Sequence, residues 1–177
     1  MTRGQLEHVI RAAGTIADVE DVVVIGSQAI LGEFPNAPAE LLASNEADVY
    51  PLHHSDRSEL IDGTIGEGSP FQKSFGYYAH GVDETTAILP EGWRTRLVLV
   101  AGENTRSIRG WCLEAHDLAI AKYVAGRDKD LAYNSVLARA GLVSRQVLLQ
   151  RLSATHVDPE IRALATARIQ RDFPVGG

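Results

Sequence analysis

Leu6, Val9, Ile10 and Ala13 recur at the spacing of one helix face, which predicts a helix over residues 4–13. The pattern then changes. Val22, Val23, Val24 and Ile25 form a continuous β-branched run ended by Gly26, as expected of a buried strand. "SQAILGEF" predicts a short helix, and "FPNAPAE" after it a loop punctuated by Pro35 and Pro38. In "SNEADVYP" polar and apolar positions alternate. A strand there places Glu46 and Asp48 on one face and Ala47 and Val49 on the other. "SDRSELIDGTIGEG" predicts a helix capped by Ser55 or Asp56 and fading into glycines. "FGYYAHGV", "RTRLVLVAG" and "TRSIRGWCL" supply three further strand candidates, the first two separated by a loop through "LPEGW".

From Glu114 the period becomes helical. "LEAHDLAIAKYVAG", "DKDLAYNSVLARAG", "SRQVLLQRL" and "DPEIRALATARIQRDF" predict four successive helices. Gly126 and Gly141 are candidate C-caps, Ser144 and Asp158 candidate N-caps, and Pro159 suits a first helical turn. The expectation is a mixed α/β (α+β) chain. A strand-bearing part over residues 1–113 and a helical part over residues 114–177 pack as one compact body.

The chain of 177 residues is long enough for one well-filled core. It has no apolar run near the roughly 20 residues a membrane span needs. The N-terminal stretch is amphipathic and lacks the apolar region of a secretion signal. A single cysteine, Cys112, leaves no internal disulfide and no cysteine-based zinc cage. A cytoplasmic location without membrane partners is the expectation. The net charge of −6 is unevenly spread: residues 1–90 carry 4 Lys/Arg against 14 Asp/Glu, and residues 91–177 carry 13 against 9. Such asymmetry fits a polyanion partner, mutual attraction of the two parts, or solvated helix faces.

Two segments carry candidate chemistry. Parallel carboxylates at Glu46 and Asp48 repel each other unless a positive group sits between them, and a divalent cation would serve. A solvated edge strand would show the same alternation. Gly26-Ser27 lies where a buried strand enters a helix. Such a turn lets backbone approach a ligand closely and offers free N–H groups to an anion, although a plain N-cap reads the same way. Together, a phosphate-accepting turn followed about twenty residues later by an acid pair is what transfer from a nucleoside triphosphate requires.

"IGSQAI", "SNEADVYP" and "LEAHDLAIAKYVAGRDKDL" together resemble the nucleotidyltransferase superfamily, and most closely the bacterial proteins related to AbiEii-type abortive-infection toxins. The resemblance spans roughly residues 20–135. It implies a mixed sheet flanked by helices, with a helical C-terminal part. It also implies a nucleoside triphosphate bound with Mg²⁺, and transfer of a nucleotidyl group with loss of pyrophosphate. Position by position, Gly26 and Ser27 match the phosphate-contacting turn, Glu46 and Asp48 the metal pair, and Lys122 the helical lysine. Arg127 and Asp130 match the closing group, so that Glu46, Asp48, Lys122 and Asp130 are the implied catalytic set. Gly26, Ser27, Lys122 and Arg127 are the implied nucleotide contacts. In the toxin relatives the acceptor is often tRNA, and elsewhere in the superfamily protein or a small molecule. A toxin with a cognate antitoxin is the implied role.

The sequence departs from that pattern at two places. The first metal position is Glu46, one methylene longer than aspartate. A third acid, which such enzymes draw from a neighbouring strand, is missing from mid-strand in "FGYYAHGVDE". That segment offers His80, with Asp83 and Glu84 only at its end. His80 reads as a base of near-neutral pKa or as a packed residue with one satisfied hydrogen bond. The missing acid keeps open a second class of function, a degenerate fold that binds a nucleotide or partner without catalysis. Lys122 also reads as an exposed helix lysine, and Arg127 with Asp130 as a pair fastening two helices. His53-His54 point opposite ways on extended chain and lack further ligands, which argues against zinc.

Overall fold

The β-branched run becomes the centre of a five-stranded sheet in the computed structural model, which describes residues 1–174. The strands are β1 (Asp21–Val24), β2 (Glu46–Pro51), β3 (Tyr78–Gly81), β4 (Val98–Val100) and β5 (Arg109–Cys112), in spatial order β3-β2-β1-β5-β4. β1 runs antiparallel to β2 and parallel to β5, β2 runs parallel to β3, and β4 closes the other edge antiparallel to β5.

Helices α1 (Arg3–Ala17), α2 (Ile30–Glu33), α3 (Ser58–Ile65) and α4 (Pro70–Phe75) come from the first part of the chain. The second part supplies α5 (Ala115–Ala125), α6 (Asp128–Arg139), α7 (Arg145–Ser153) and α8 (Pro159–Asp172). Thr2 and Gln5 form a capping box at the start of α1, and Leu6, Val9, Ile10 and Ala13 are wholly buried along its inner face. Each fully buried leucine, valine or isoleucine contributes about 1.5–3 kcal/mol of burial free energy, so this face fixes α1 on the sheet.

Register sorts the two faces. Val22, Val24, Val49, Ala47, Ala79, Gly110 and Cys112 share one face across four neighbouring strands. A Cβ at Gly110 would meet Ile10 of α1, one at Gly32 of α2 would meet Cys112, and one at Gly81 would meet Ser58 of α3. That face is therefore covered by α1, α2 and α3. The opposite face carries Glu46, Asp48, Tyr78 and His80 at one side and Asp21, Arg109 and Trp111 at the other. Arg109 and the Trp111 indole N–H both donate to Asp21.

Several local expectations change. Residues 55–68 do not form one capped helix: a 3-10 turn over Ser55–Arg57 leads into α3, and neither Ser55 nor Asp56 supplies a side-chain cap. α4 was not predicted, although Ser69 caps it through the Gln72 amide and Pro70 opens it. The first half of "RTRLVLVAG" coils into a 3-10 turn over Trp93–Arg96, leaving a strand of only three residues. Gly126 caps α5 in the left-handed region, Gly141 follows the C-cap of α6 there, and Ser144 caps α7 as predicted; Asp158 precedes α8 without a side-chain cap. Among the described residues no helix is long and apolar enough to cross a membrane.

Candidate active site

β2 delivers Glu46 and Asp48 to the open face because its other face is spent on Ala47 and Val49, both fully buried. In register beside them on β3 stand Tyr78, opposite Glu46, and His80, opposite Asp48. The Tyr78 hydroxyl donates to Glu46 Oε2 at 2.6 Å, which fixes that carboxylate and leaves Oε1 turned toward His80. His80 Nδ1 lies 3.2 Å from Asp48 Oδ1 and 3.9 Å from Glu46 Oε1. One donor atom from each of Glu46, Asp48 and His80 falls within 4.8 Å of the others. The three side chains are 37%, 25% and 51% exposed, so the cluster is open to exchange with solvent.

Burial, and then the neighbouring Glu46 charge, push the Asp48 carboxyl above its ordinary value, with His80 opposing. Among the described residues no lysine or arginine makes an ion pair with either carboxylate; His80 is their only such neighbour. Two hard carboxylate oxygens beside open space fit a divalent cation of the Mg²⁺ kind, which needs only one or two protein carboxylates when phosphates supply other ligands.

The Gly26 turn sits against this pair because β1 and β2 are antiparallel, which brings the end of β1 to the start of β2; the Ile25 amide donates to the Asp48 carbonyl. The Gly26 backbone is ordinary extended chain, with φ −80°. Glycine is needed there for space: a Cβ would stand 1.8 Å from Asp48 Oδ2. The predicted helix after it starts as a 3-10 turn of three residues, Ser27–Ala29, before the four-residue α2. Ser27 makes no side-chain cap, which removes the plain N-cap reading. Its hydroxyl instead accepts from Lys122 at 2.9 Å.

Lys122 comes from the last turn of α5, in the helical part of the chain. Its side chain is only 11% exposed, so it is not a solvated helix lysine. Besides Ser27 it donates to Asp130 Oδ1 at 3.1 Å, and its ammonium lies 4.4 Å from the Tyr133 ring centroid. Burial lowers the Lys122 pKa, while Asp130 and, more weakly, Asp48 hold its proton on. Asp130, from the first turn of α6, is fully buried. Burial would raise its pKa, but Arg127 and Lys122 outweigh it and hold the carboxyl below its usual range. Arg127 reaches Asp130 Oδ2 at 2.5 Å while staying 64% exposed. Asp130 thus does more than pair with Arg127. It holds Lys122 of α5 toward the Gly26 turn, and the Tyr133 hydroxyl braces the same turn by donating to the Ser27 carbonyl.

The structure therefore brings Gly26, Ser27, Glu46, Asp48, Lys122, Arg127 and Asp130 to one region where β1, β2 and α5 meet. It excludes one of the two readings of His80. His80 is a half-exposed neighbour of both acids, not a packed core residue. Asp83 caps Thr85 and Glu84 pairs with Arg94, so neither joins the cluster. Tyr78 and Tyr133 escaped the sequence reading, since nothing local distinguishes their hydroxyls from those of packed tyrosines. Two shallow hollows lie elsewhere, one of about 180 Å³ bordered by Asp18, Asp21, His53 and His54, the other of about 340 Å³ bordered by Leu149, Leu152 and Arg162. The acid cluster is a surface site.

Compared with known families, residues 4–160 match the model of a family described as "Nucleotidyltransferase of unknown function (DUF6036)". No curated protein and no solved structure matches the chain.

Proposed function

The chain belongs to that nucleotidyltransferase family of unknown function, and on this premise we propose that it transfers a nucleotidyl group from a nucleoside triphosphate to an RNA or protein acceptor. The observation that carries this reading is the convergence of an acid pair, a close-packed glycine turn and a buried lysine from three separate stretches of the chain.

Glu46 and Asp48 would hold Mg²⁺, which would supply positive charge against the charge developing on the phosphates. Tyr78 keeps Glu46 oriented through its 2.6 Å hydrogen bond. Gly26 leaves the room that Asp48 occupies beside the turn. Lys122, positioned by Ser27 and Asp130, and the exposed guanidinium of Arg127 supply positive charge for the departing pyrophosphate. In the overall exchange, the oxygen of an acceptor hydroxyl replaces the bridging oxygen of pyrophosphate at the α-phosphorus. The likeness to AbiEii-type toxins supports tRNA as the acceptor and a role as the toxin of a toxin–antitoxin pair.

A second reading has its own observation. Among the described residues no third carboxylate joins Glu46 and Asp48, as expected of a degenerate fold that binds a nucleotide or partner without turnover. Incubation with each nucleoside triphosphate labelled at the α-phosphate, Mg²⁺, and total RNA or lysate separates the two. Label on a macromolecule, lost in Asp48→Ala, supports transfer. Nucleotide bound without transfer supports the regulatory binder, and binding of neither nucleotide nor partner overturns both.

A further inference from the structure

We propose that His80 is a third protein ligand of the divalent cation, through Nδ1, and that this nitrogen shifts the site's preference from Mg²⁺ toward Mn²⁺. The proposal rests on the metal pair of the preceding reading but not on group transfer.

The geometry points to Nδ1. The parallel register of β2 and β3 sets His80 directly opposite Asp48, and both side chains project from the same face of the sheet. Nδ1 faces one oxygen of each acid, Asp48 Oδ1 at 3.2 Å and Glu46 Oε1 at 3.9 Å. The other oxygens are engaged: Glu46 Oε2 accepts from Tyr78, and Asp48 Oδ2 is seated against Gly26. Three donor atoms, two oxygens and one nitrogen, are thereby turned to a common space. They lie within 4.8 Å of one another. Donor atoms on a small cation with bonds of about 2.1 Å stand about 3.0 Å apart at neighbouring positions and about 4.2 Å apart across it, a range that holds both the 3.2 Å and the 3.9 Å spacing. A residue kept only for packing would be covered, and His80 is half exposed.

The donor set bears on the choice between these two cations. Mg²⁺ takes oxygen ligands and gains little from an imidazole. Mn²⁺ suits carboxylates too and, as a first-row transition metal, gains from a nitrogen donor, the later metals of the series more so. Ligation uses the neutral ring, with Nδ1 as donor and the ring proton on Nε2.

Untagged protein titrated with Mn²⁺ tests this directly. Continuous-wave electron paramagnetic resonance counts the free ion, and pulsed measurement on the bound ion reads coupling to ¹⁴N. Wild-type protein is expected to bind one Mn²⁺ with ¹⁴N coupling. His80→Ala should lose the coupling and about tenfold or more in Mn²⁺ affinity, with Mg²⁺ affinity, read by competition, changing little. Bound Mn²⁺ without ¹⁴N coupling, or coupling and affinity that persist in His80→Ala, overturns the ligand assignment while leaving the acid pair intact. Should His80→Ala fail to fold, His80→Gln read the same way decides between these outcomes. No Mn²⁺ bound by wild-type protein overturns this inference together with the metal reading beneath it. A nitrogen-ligated ion in a protein that transfers no label upholds the inference and separates it from the transferase reading.

Discussion

Asp48 lies with its carboxylate against the bare Cα of Gly26, so closely that a Cβ on residue 26 would stand 1.8 Å from Oδ2. The Asp48 Cγ and Cβ would also be 2.7 and 2.9 Å away, so turning the carboxylate alone does not clear the space. Gly26→Ala is therefore expected to displace Asp48 and cost about 1–3 kcal/mol as an overpacked site. Denaturant unfolding reads the stability. A divalent cation should protect the wild-type protein against heat but not the variant. Equal protection in both would show that the Gly26 contact does not set the position of Asp48.

Asp48→Asn should stabilise the protein in chelator at neutral pH even as it removes activity. The reason is the raised Asp48 pKa, caused by burial and then by Glu46. The folded state holds this proton more tightly than the unfolded chain. The charged form therefore costs stability above the folded pKa, and that cost disappears as pH falls toward the ordinary value of 3.8. The advantage of the variant should be largest near neutrality and close in acid. Each kcal/mol relieved raises the thermal midpoint by about 2–4 °C in a chain of this size. A variant less stable than wild type at neutral pH in chelator would contradict this.

Lys122→Met should weaken nucleotide binding and also destabilise the fold. It leaves fully buried Asp130 with only Arg127 as a charged partner and frees the Ser27 hydroxyl. Loss of one partner from a buried, hydrogen-bonded charge costs about 1–3 kcal/mol. Asp130→Asn in the same background should recover part of it, because the remaining buried group is then neutral. Chemical denaturation of the single and double variants measures the coupling.

Arg127→Ala tests whether this guanidinium serves the nucleotide as well as Asp130. It is 64% exposed, but the carboxylate it pairs with is buried, so its loss takes one partner from a buried charge and costs about 1–3 kcal/mol. Nucleotide affinity should fall several-fold as well, read on protein kept well below its unfolding transition. A variant with unaltered nucleotide affinity would make Arg127 a helix fastener alone.

Much of this arrangement is legible in the amino-acid sequence. The β-branched run at Val22–Ile25, the alternation in "SNEADVYP" and the helical period after Glu114 each depend on near neighbours in the chain. So do the glycines at the ends of α5 and α6. What escaped depends on contacts between distant segments. Nothing local to "FGYYAHGV" says that β3 pairs in parallel with β2, and that register alone puts Tyr78 on Glu46 and His80 on Asp48. Gly26 was legible as a special position but for another reason, close approach of a ligand, whereas its absent side chain first makes room for Asp48. Ser69-Pro70 did announce α4 by its cap chemistry, yet the six-residue helix is too short to show a period.

The most direct measurement compares nucleoside triphosphate labelled at the α-phosphorus with the same nucleotide labelled at the γ-phosphorus. The protein is incubated with either, a divalent cation, and total RNA or lysate. If Glu46, Asp48 and Lys122 serve nucleotidyl transfer, the α-label enters a macromolecule, the γ-label leaves with pyrophosphate, and Asp48→Ala abolishes both. Label arriving from the γ-position, or α-label transferred undiminished by Asp48→Ala, would contradict it.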